Sequence, residues 1–503
     1  AYASLIFVCV SIYIVQKVSH RKERMFDLAS QTASDYSIAV ENPPADALNE
    51  DEWRDFFSQW GDVTCLTIAL DNEELLRALV ERRKLVLKLS NLQPANGTVD
   101  PTNIEPAVAT AMELPWYMKL MEPDAVMIQQ QLEALDEEIE SKWVKRNYDV
   151  TNVFVTFETE QAQQDCLEAL TVATPIKLIC NCKSALPEEH RFRKEKLLKV
   201  REPKEPSSIR WQDLDESFLV QATQRVFTGI LTIGLIMAGC VLVVYVRNNY
   251  GVFWAAMTIT GLNSAAPTFC RYLTMMESHD DEGSWQSSLY TKITGCYWIL
   301  SAVLTAYVTP FVKTLDADVE SLIPSMYAIF ITEMLKSPVI QLADFSGHFY
   351  RHYLGPRAID QRRMNACFVG TQYELSERYT DLTNVLFMTF YYGLIFPAGF
   401  FFGAITLTVH YWVDKFCLLR NWTRWTPQIG NTIANMSRLY FFSGALAVYA
   451  IMSSYNFASY PYDNACMVED PNDSGNITTV PAEYVGNFTA TTGEGDVVDI
   501  EIP

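Results

Sequence analysis

The sequence predicts a polytopic α-helical membrane protein that carries a soluble α+β domain. Three observations lead there. Of 503 residues, 49% are hydrophobic and 13% aromatic, and several nearly charge-free stretches reach the roughly 20 residues that cross about 30 Å of hydrocarbon. Between the first two of these stretches lies a region flanked by basic clusters, whose apolar residues alternate as they do in strands. The remaining charged loops can be ordered by the rule that Lys and Arg gather on the cytosolic side.

Spans are expected near 1–16, 222–246, 252–276, 289–312, 322–349, 382–413 and 438–456. The first is apolar from Ala1, and its bases (Lys17, Arg21, Lys22, Arg24) follow the apolar run. A signal peptide has them in front, so a transmembrane helix is the reading, in a chain expected to lack earlier segments.

Residues 17–220 form the soluble part. DYSIAVENPP, NEDEWRDFFSQWG and DVTCLTIAL read as strand, helix and strand; NVFVTFET, EQAQQDCLEAL and PIKLICN repeat the pattern. That β-α-β…β-α-β order is ferredoxin-like, the topology of RNA-recognition modules. RNA binding by such a module needs a basic residue, a glycine and exposed aromatics on one strand. Here Val150–Asn152 stand in those places, Phe154 and Phe157 read as core, and the net charge is −21. No nucleic-acid partner is expected. Between the halves, VMIQQQLEALDEEIESKWVKR places Ile128, Leu132, Leu135, Ile139 and Trp143 at helical spacing. That helix packs on its own domain or forms a coiled-coil seam. Leu114–Met121 reads as an interfacial or a core segment.

With the soluble part in the cytosol, residues 350–378 fall inside and carry Arg351, Arg357, Arg362, Arg363 and Arg378. As one helix the 382–413 stretch would be about 48 Å long, too long for a single crossing. A hairpin broken at Pro397, with Gly393, Gly399 and Gly403 allowing close packing, returns Lys415, Arg420, Arg424 and Arg438 to the cytosol. Residues 458–503 are acidic, without Lys or Arg, and are expected to be a disordered tail. Their sequons at Asn472, Asn476 and Asn487 would then be extracellular, and those at Asn421 and Asn435 cytosolic and bare.

The chemistry concentrates in ITEMLKSPVIQLADF, residues 331–345. At about 100° per residue, Glu333, Lys336, Ser337, Gln341, Asp344 and His348 share an arc of about 140°. On the preceding span Thr260, Asn263, Ser264, Pro267, Arg271 and Thr274 share an arc of about 100°. Ionisable groups inside a membrane need a partner or a hydrated cavity. Two readings follow, a conduit lined by both stripes and a polar cluster that glues helices together. The conduit reading makes Glu333, Lys336, Ser337, Gln341, Asp344, Thr260, Asn263 and Ser264 pore-lining. Pro338, Pro267 and Pro397 are its hinges, and Glu374, Glu377 and Asp381 attract cations at the inner mouth. No phosphate loop, nucleophile elbow or metal-ligand spacing is present, so neither an enzyme nor a cofactor is expected.

The linker REPKEPSSIRWQDLDESF, with Pro203, Pro206, Ile209, Trp211 and Leu214, resembles the signature before the third membrane helix of OSCA-type calcium-permeable stress-gated cation channels. GTQYELSERYTDLTNVLFMTFYYGLIFPAGFF, from Gly370, resembles that family's late-helix region and proline hairpin. The chain departs from the family at Gln212-Asp213, in place of Glu-Asn, and in its first and final helices. The resemblance implies a homodimer of the anoctamin superfamily in the plasma membrane, with a pore in each subunit lined by helices starting near Phe218, Val252, Leu289, Leu322 and Tyr379. It implies a mechanosensitive or osmosensitive, calcium-permeable, non-selective cation channel whose partners are membrane lipids and permeant cations including Ca2+. The alternatives are a lipid scramblase of the same superfamily and a non-transporting membrane adaptor.

Overall fold

The computed structural model describes residues 2–27, 31–92, 125–143, 148–171, 186–214, 216, 218–303, 322–358, 361–393, 396–423, 430–438, 442–458, 467–469, 477–479, 487–491 and 497–501. Helix α1 (Tyr2–Asp27) runs past the expected end of the first span. An α+β part follows with one sheet of β1 (Ser37–Val40), β2 (Val63–Leu70), β3 (Val150–Phe157) and β4 (Val200–Arg201). Its strand order is β2-β3-β1-β4, with every neighbouring pair antiparallel.

Alternation along β3 turns Val153, Val155 and Phe157 to one face, where they meet Ile38, Val40, Trp53, Phe57 and Cys166. α2 (Glu50–Phe57) brings two of these, its first turn capped by the Asn49 side chain. Trp53 stacks on Phe192 at 4.0 Å and donates its indole N–H to the Ala47 carbonyl at 2.9 Å. Phe154 departs from its expected place in the core. It points to the opposite face, and the Trp211 ring of the linker lies 5.4 Å away, edge-on. The segment PIKLICN lies outside the described residues; beside β1 the chain sets Val200–Arg201 instead.

α3 (Glu73–Leu92) and α4 (Ala125–Trp143) make a helical hairpin within the domain, burying Leu75, Leu85, Leu89, Ile128 and Leu132. Arg82 and Asp136 tie it at 2.5 Å. Leu114–Met121 lies outside the described residues. α5 (Glu160–Leu170) completes the domain.

The rest is a helical bundle: α6 (Phe218–Tyr250), α7 (Val252–Thr274), α8 (Glu282–Trp298, continued as a π-helical turn over Ile299–Val303), α9 (Leu322–Ala343), α10 (Leu375–Tyr392), α11 (Gly399–Arg420) and α12 (Phe442–Ala458). The 382–413 stretch is divided between α10 and α11, and Pro397 sits in the break, its carbonyl accepting from Phe400 N–H at 3.2 Å. Gly403 lets the two helices close up, since a Cβ there would meet Thr389 Oγ1 at 2.5 Å.

The bundle turns many apolar side chains outward and buries polar ones alongside its apolar clusters. α6 exposes Val226, Phe227, Ile230, Ile233, Met237 and Val241 and buries Gln221, Thr228 and Thr232. α8 buries Gln286, Ser287, Lys292 and Thr294; α10 buries Thr380, Thr383, Asn384 and Thr389. Among the described residues, α6 is the one helix both long and apolar enough by itself to cross a membrane, where the sequence led to seven spans. Of the rest, α8 is shorter, with 17 residues, and α9 and α10 carry charge. The acidic tail also departs from expectation. Met467–Glu469 pairs with Ile477–Thr479, and Asn487–Thr491 with Val497–Glu501. These segments are rich in β-branched residues, which favour a pleated ladder.

Candidate functional site

A polar cavity of about 150 Å³ opens between α8, α9 and α10. From α9 come Glu333, Lys336, Ser337, Ile340 and Gln341, held on one face by the helical period. α10 supplies Glu377, Arg378, Thr380 and Asp381, and α8 supplies Ile293 and Tyr297. Three acids (Glu333, Glu377, Asp381) face two bases (Lys336, Arg378), a balance that favours cations.

Hydrogen bonds hold the walls. Ser337 Oγ donates to Asp381 at 2.8 Å and accepts from Arg378 at 3.1 Å. Arg378 also pairs with Asp381 at 3.3 Å and reaches Asp414 of α11 at 4.0 Å. With its amide nitrogen toward Asp414 at 3.0 Å, Gln341 turns its oxygen to the Arg378 guanidinium. His410 of α11 donates from Nε2 to the Glu333 carbonyl at 3.2 Å. That bond anchors α9 beside Pro338, whose ring removes the N–H that would have satisfied the Met334 carbonyl. Glu333 and Lys336 line the same cavity and make no direct ion pair.

Asp344 leaves the expected face. α9 ends at Ala343, and Asp344 turns into the left-handed region (φ 35°, ψ 51°), so the wheel no longer applies to it. Its buried carboxylate accepts from Gly347 N–H at 3.2 Å, Arg351 at 3.2 Å and Thr371 at 3.1 Å, and so shapes a turn. The α7 stripe is also divided. Asn263 is buried and donates to Ser301 at 2.9 Å, whereas Thr260 and Ser264 are exposed, with Ser264 bonded to the Thr260 carbonyl at 2.8 Å. None of the three lines the α8–α9–α10 cavity. Of the hinge candidates, Pro338 is buried inside α9, Pro267 lies within α7, and Pro397 lies between helices. Glu374 and Glu377 both pair with Arg271 of α7, at 3.4 and 3.2 Å, while Asp381 faces the cavity.

Sequence reasoning missed Arg378, His410 and Asp414 as parts of the site. It also missed a second cluster where α6, the 275–281 loop and α8 meet. There the buried Glu277 accepts from Lys292 at 2.6 Å, His279 at 2.9 Å, Ser288 at 2.6 Å and Thr228. Burial alone would raise the Glu277 carboxyl, but the bonds from His279, Lys292, Ser288 and Thr228 outweigh it and hold the pKa at about 2. A lone lysine in an apolar run was the signal available for Lys292. The loop is also fastened to the linker. Arg210 N–H donates to the Asp280 carbonyl at 3.0 Å, its guanidinium reaches Glu282 at 3.3 Å, and Gln221 bonds Asp280 at 2.7 Å.

No family model matches the chain, and no curated protein matches it. The functional reading therefore rests on the geometry of these two clusters and on the distribution of apolar surface around them.

Proposed function

We propose that this chain is a subunit of a mechanosensitive or osmosensitive, calcium-permeable, non-selective cation channel, embedded in the plasma membrane as a multi-pass helical bundle. In this reading the ferredoxin-like domain is cytosolic, two subunits associate, and each has its own pore between α8, α9 and α10. One observation carries it: a polar cavity with three acids and two bases sits inside a bundle whose outer helix faces are apolar. In a membrane that arrangement faces lipid with Ile, Phe and Val and keeps the costly charges around water. The strand order β2-β3-β1-β4 supports the ferredoxin-like assignment of the soluble domain.

Within this reading Glu333 and Asp381 select for cations, Lys336 and Arg378 moderate the field, and Pro338 lets α9 bend as lipid tension changes. The test is a patch recording under graded suction on the full chain. Stretch-evoked cation current is expected, and Glu333→Gln is expected to move the reversal potential toward that of a less cation-selective pore. Lipid flip in reconstituted vesicles without conductance would replace this reading with a scramblase.

A further inference from the structure

We propose that Arg271 is the plug of the conduit, seated between Glu374 and Glu377, and that opening requires it to leave them. The inference rests on the conduit reading above and adds how that conduit is shut.

A second cavity, of about 390 Å³, is lined by Pro267, Thr268, Arg271, Tyr272 and Met275 of α7 and its end, and by Glu377 of α10. Glu377 also lines the inner cavity of about 150 Å³, and it is the one residue common to the two linings. The side chain between the two spaces is therefore the one that Arg271 holds. The guanidinium reaches Glu377 Oε1 at 3.2 Å and Glu374 Oε1 at 3.4 Å. While it stays there, a cation entering from the second cavity meets a positive charge, and the two carboxylates are neutralised in part.

The seat is built to be left. The Arg271 side chain is 36% exposed and Glu377 31%, so the pair is not sealed in the packed interior and Arg271 has room to leave. Pro267 stands one turn before Arg271 in the same helix, where its ring removes the hydrogen bond to the Asn263 carbonyl and gives a bending point. Bending there swings the last turn of α7, carrying Arg271 off both acids. The same movement joins the cavities and leaves Glu374 and Glu377 free to attract Ca2+ at the mouth. One displacement thus opens the path and raises its preference for cations.

The experiment is suction-graded recording from patches carrying the full chain. Arg271→Gln is expected to raise the open probability at rest by about two- to fivefold, the change an exposed pair yields, and to lower the suction needed for half-maximal opening. Arg271→Lys should stay close to the parent. The exchange of charges, Arg271→Glu with Glu377→Arg, should return the threshold toward the parent even if either single change assembles poorly. Parent-like thresholds in Arg271→Gln with current intact would overturn the plug and leave the conduit standing. An exchange no better than its single components would also overturn it. Absence of any stretch current in the parent would overturn the conduit and the plug with it.

Discussion

Lys292 places its ammonium nitrogen 2.6 Å from a Glu277 carboxylate oxygen, with both side chains removed from solvent. The pair joins the middle of α8 to the loop after α7, and Thr228 brings in α6. Every oxygen of Glu277 is bonded, by Lys292 and Thr228 on one side and by His279 and Ser288 on the other. That is how buried charge is tolerated without a cavity.

Removing the cation leaves the carboxylate stranded. Lys292→Met is expected to cost about 3–5 kcal/mol, read as a lower unfolding temperature of the purified protein. Glu277→Gln combined with Lys292→Met should recover part of the loss, since no unpaired charge stays buried.

The same carboxylate predicts an acid limb. Its folded pKa of about 2 lies below the ordinary 4.5, so its contribution is fully present above pH 4.5 and is lost as pH falls through about 2. Tryptophan fluorescence followed down the pH scale should show destabilisation starting below pH 4.5. In Glu277→Gln that component should be absent, with stability already lower at pH 7.

Trp211 packs on Phe154 across the sheet face away from the core. Trp211→Ala is expected to loosen the linker by about 1 kcal/mol, seen as roughly fivefold faster tryptic cleavage near Lys204 and Arg210. Phe154→Ala should have a similar effect, because either change removes the same contact.

Asp381 accepts from Ser337 and pairs with Arg378 at the cavity wall. Asp381→Asn changes the lining from three acids and two bases to two of each. Single-channel Ca2+ conductance is expected to fall by about two- to tenfold, measured under suction with Ca2+ as the permeant ion.

The membrane reading also assigns sugar. Asn487, in a strand that this reading puts outside the cell, should carry glycan, while Asn421 and Asn435 should remain bare, Asn435 being bonded to Arg438 at 2.6 Å. Glycosidase mapping of protein from a secretory host that found sugar on Asn421 would reverse the orientation.

Much of this was legible along the chain. The divided hairpin at Pro397 followed from helix length and proline chemistry, and the face shared by Glu333, Lys336, Ser337 and Gln341 followed from the helical period. Asp344 escaped because a wheel assumes that the helix continues, and the left-handed turn after Ala343 ends it. Thr260 and Ser264 escaped because a polar stripe does not say which neighbour it meets; α8 stands beside α7 and leaves those two outside. Val200–Arg201 was invisible as a strand, being only two residues long and held by pairing to β1.

Periodicity, proline and the spacing of charge act through bonds within a few residues, and for that reason element types, the α10–α11 break and the polar face of α9 could be read from the order of amino acids. Which charges meet is a matter of distant segments packing. Arg271 reaching Glu377, Lys292 reaching Glu277 and Arg378 reaching Asp414 all depend on how distant segments pack, and only the folded bundle sets that, because each of these contacts spans positions that no local pattern links.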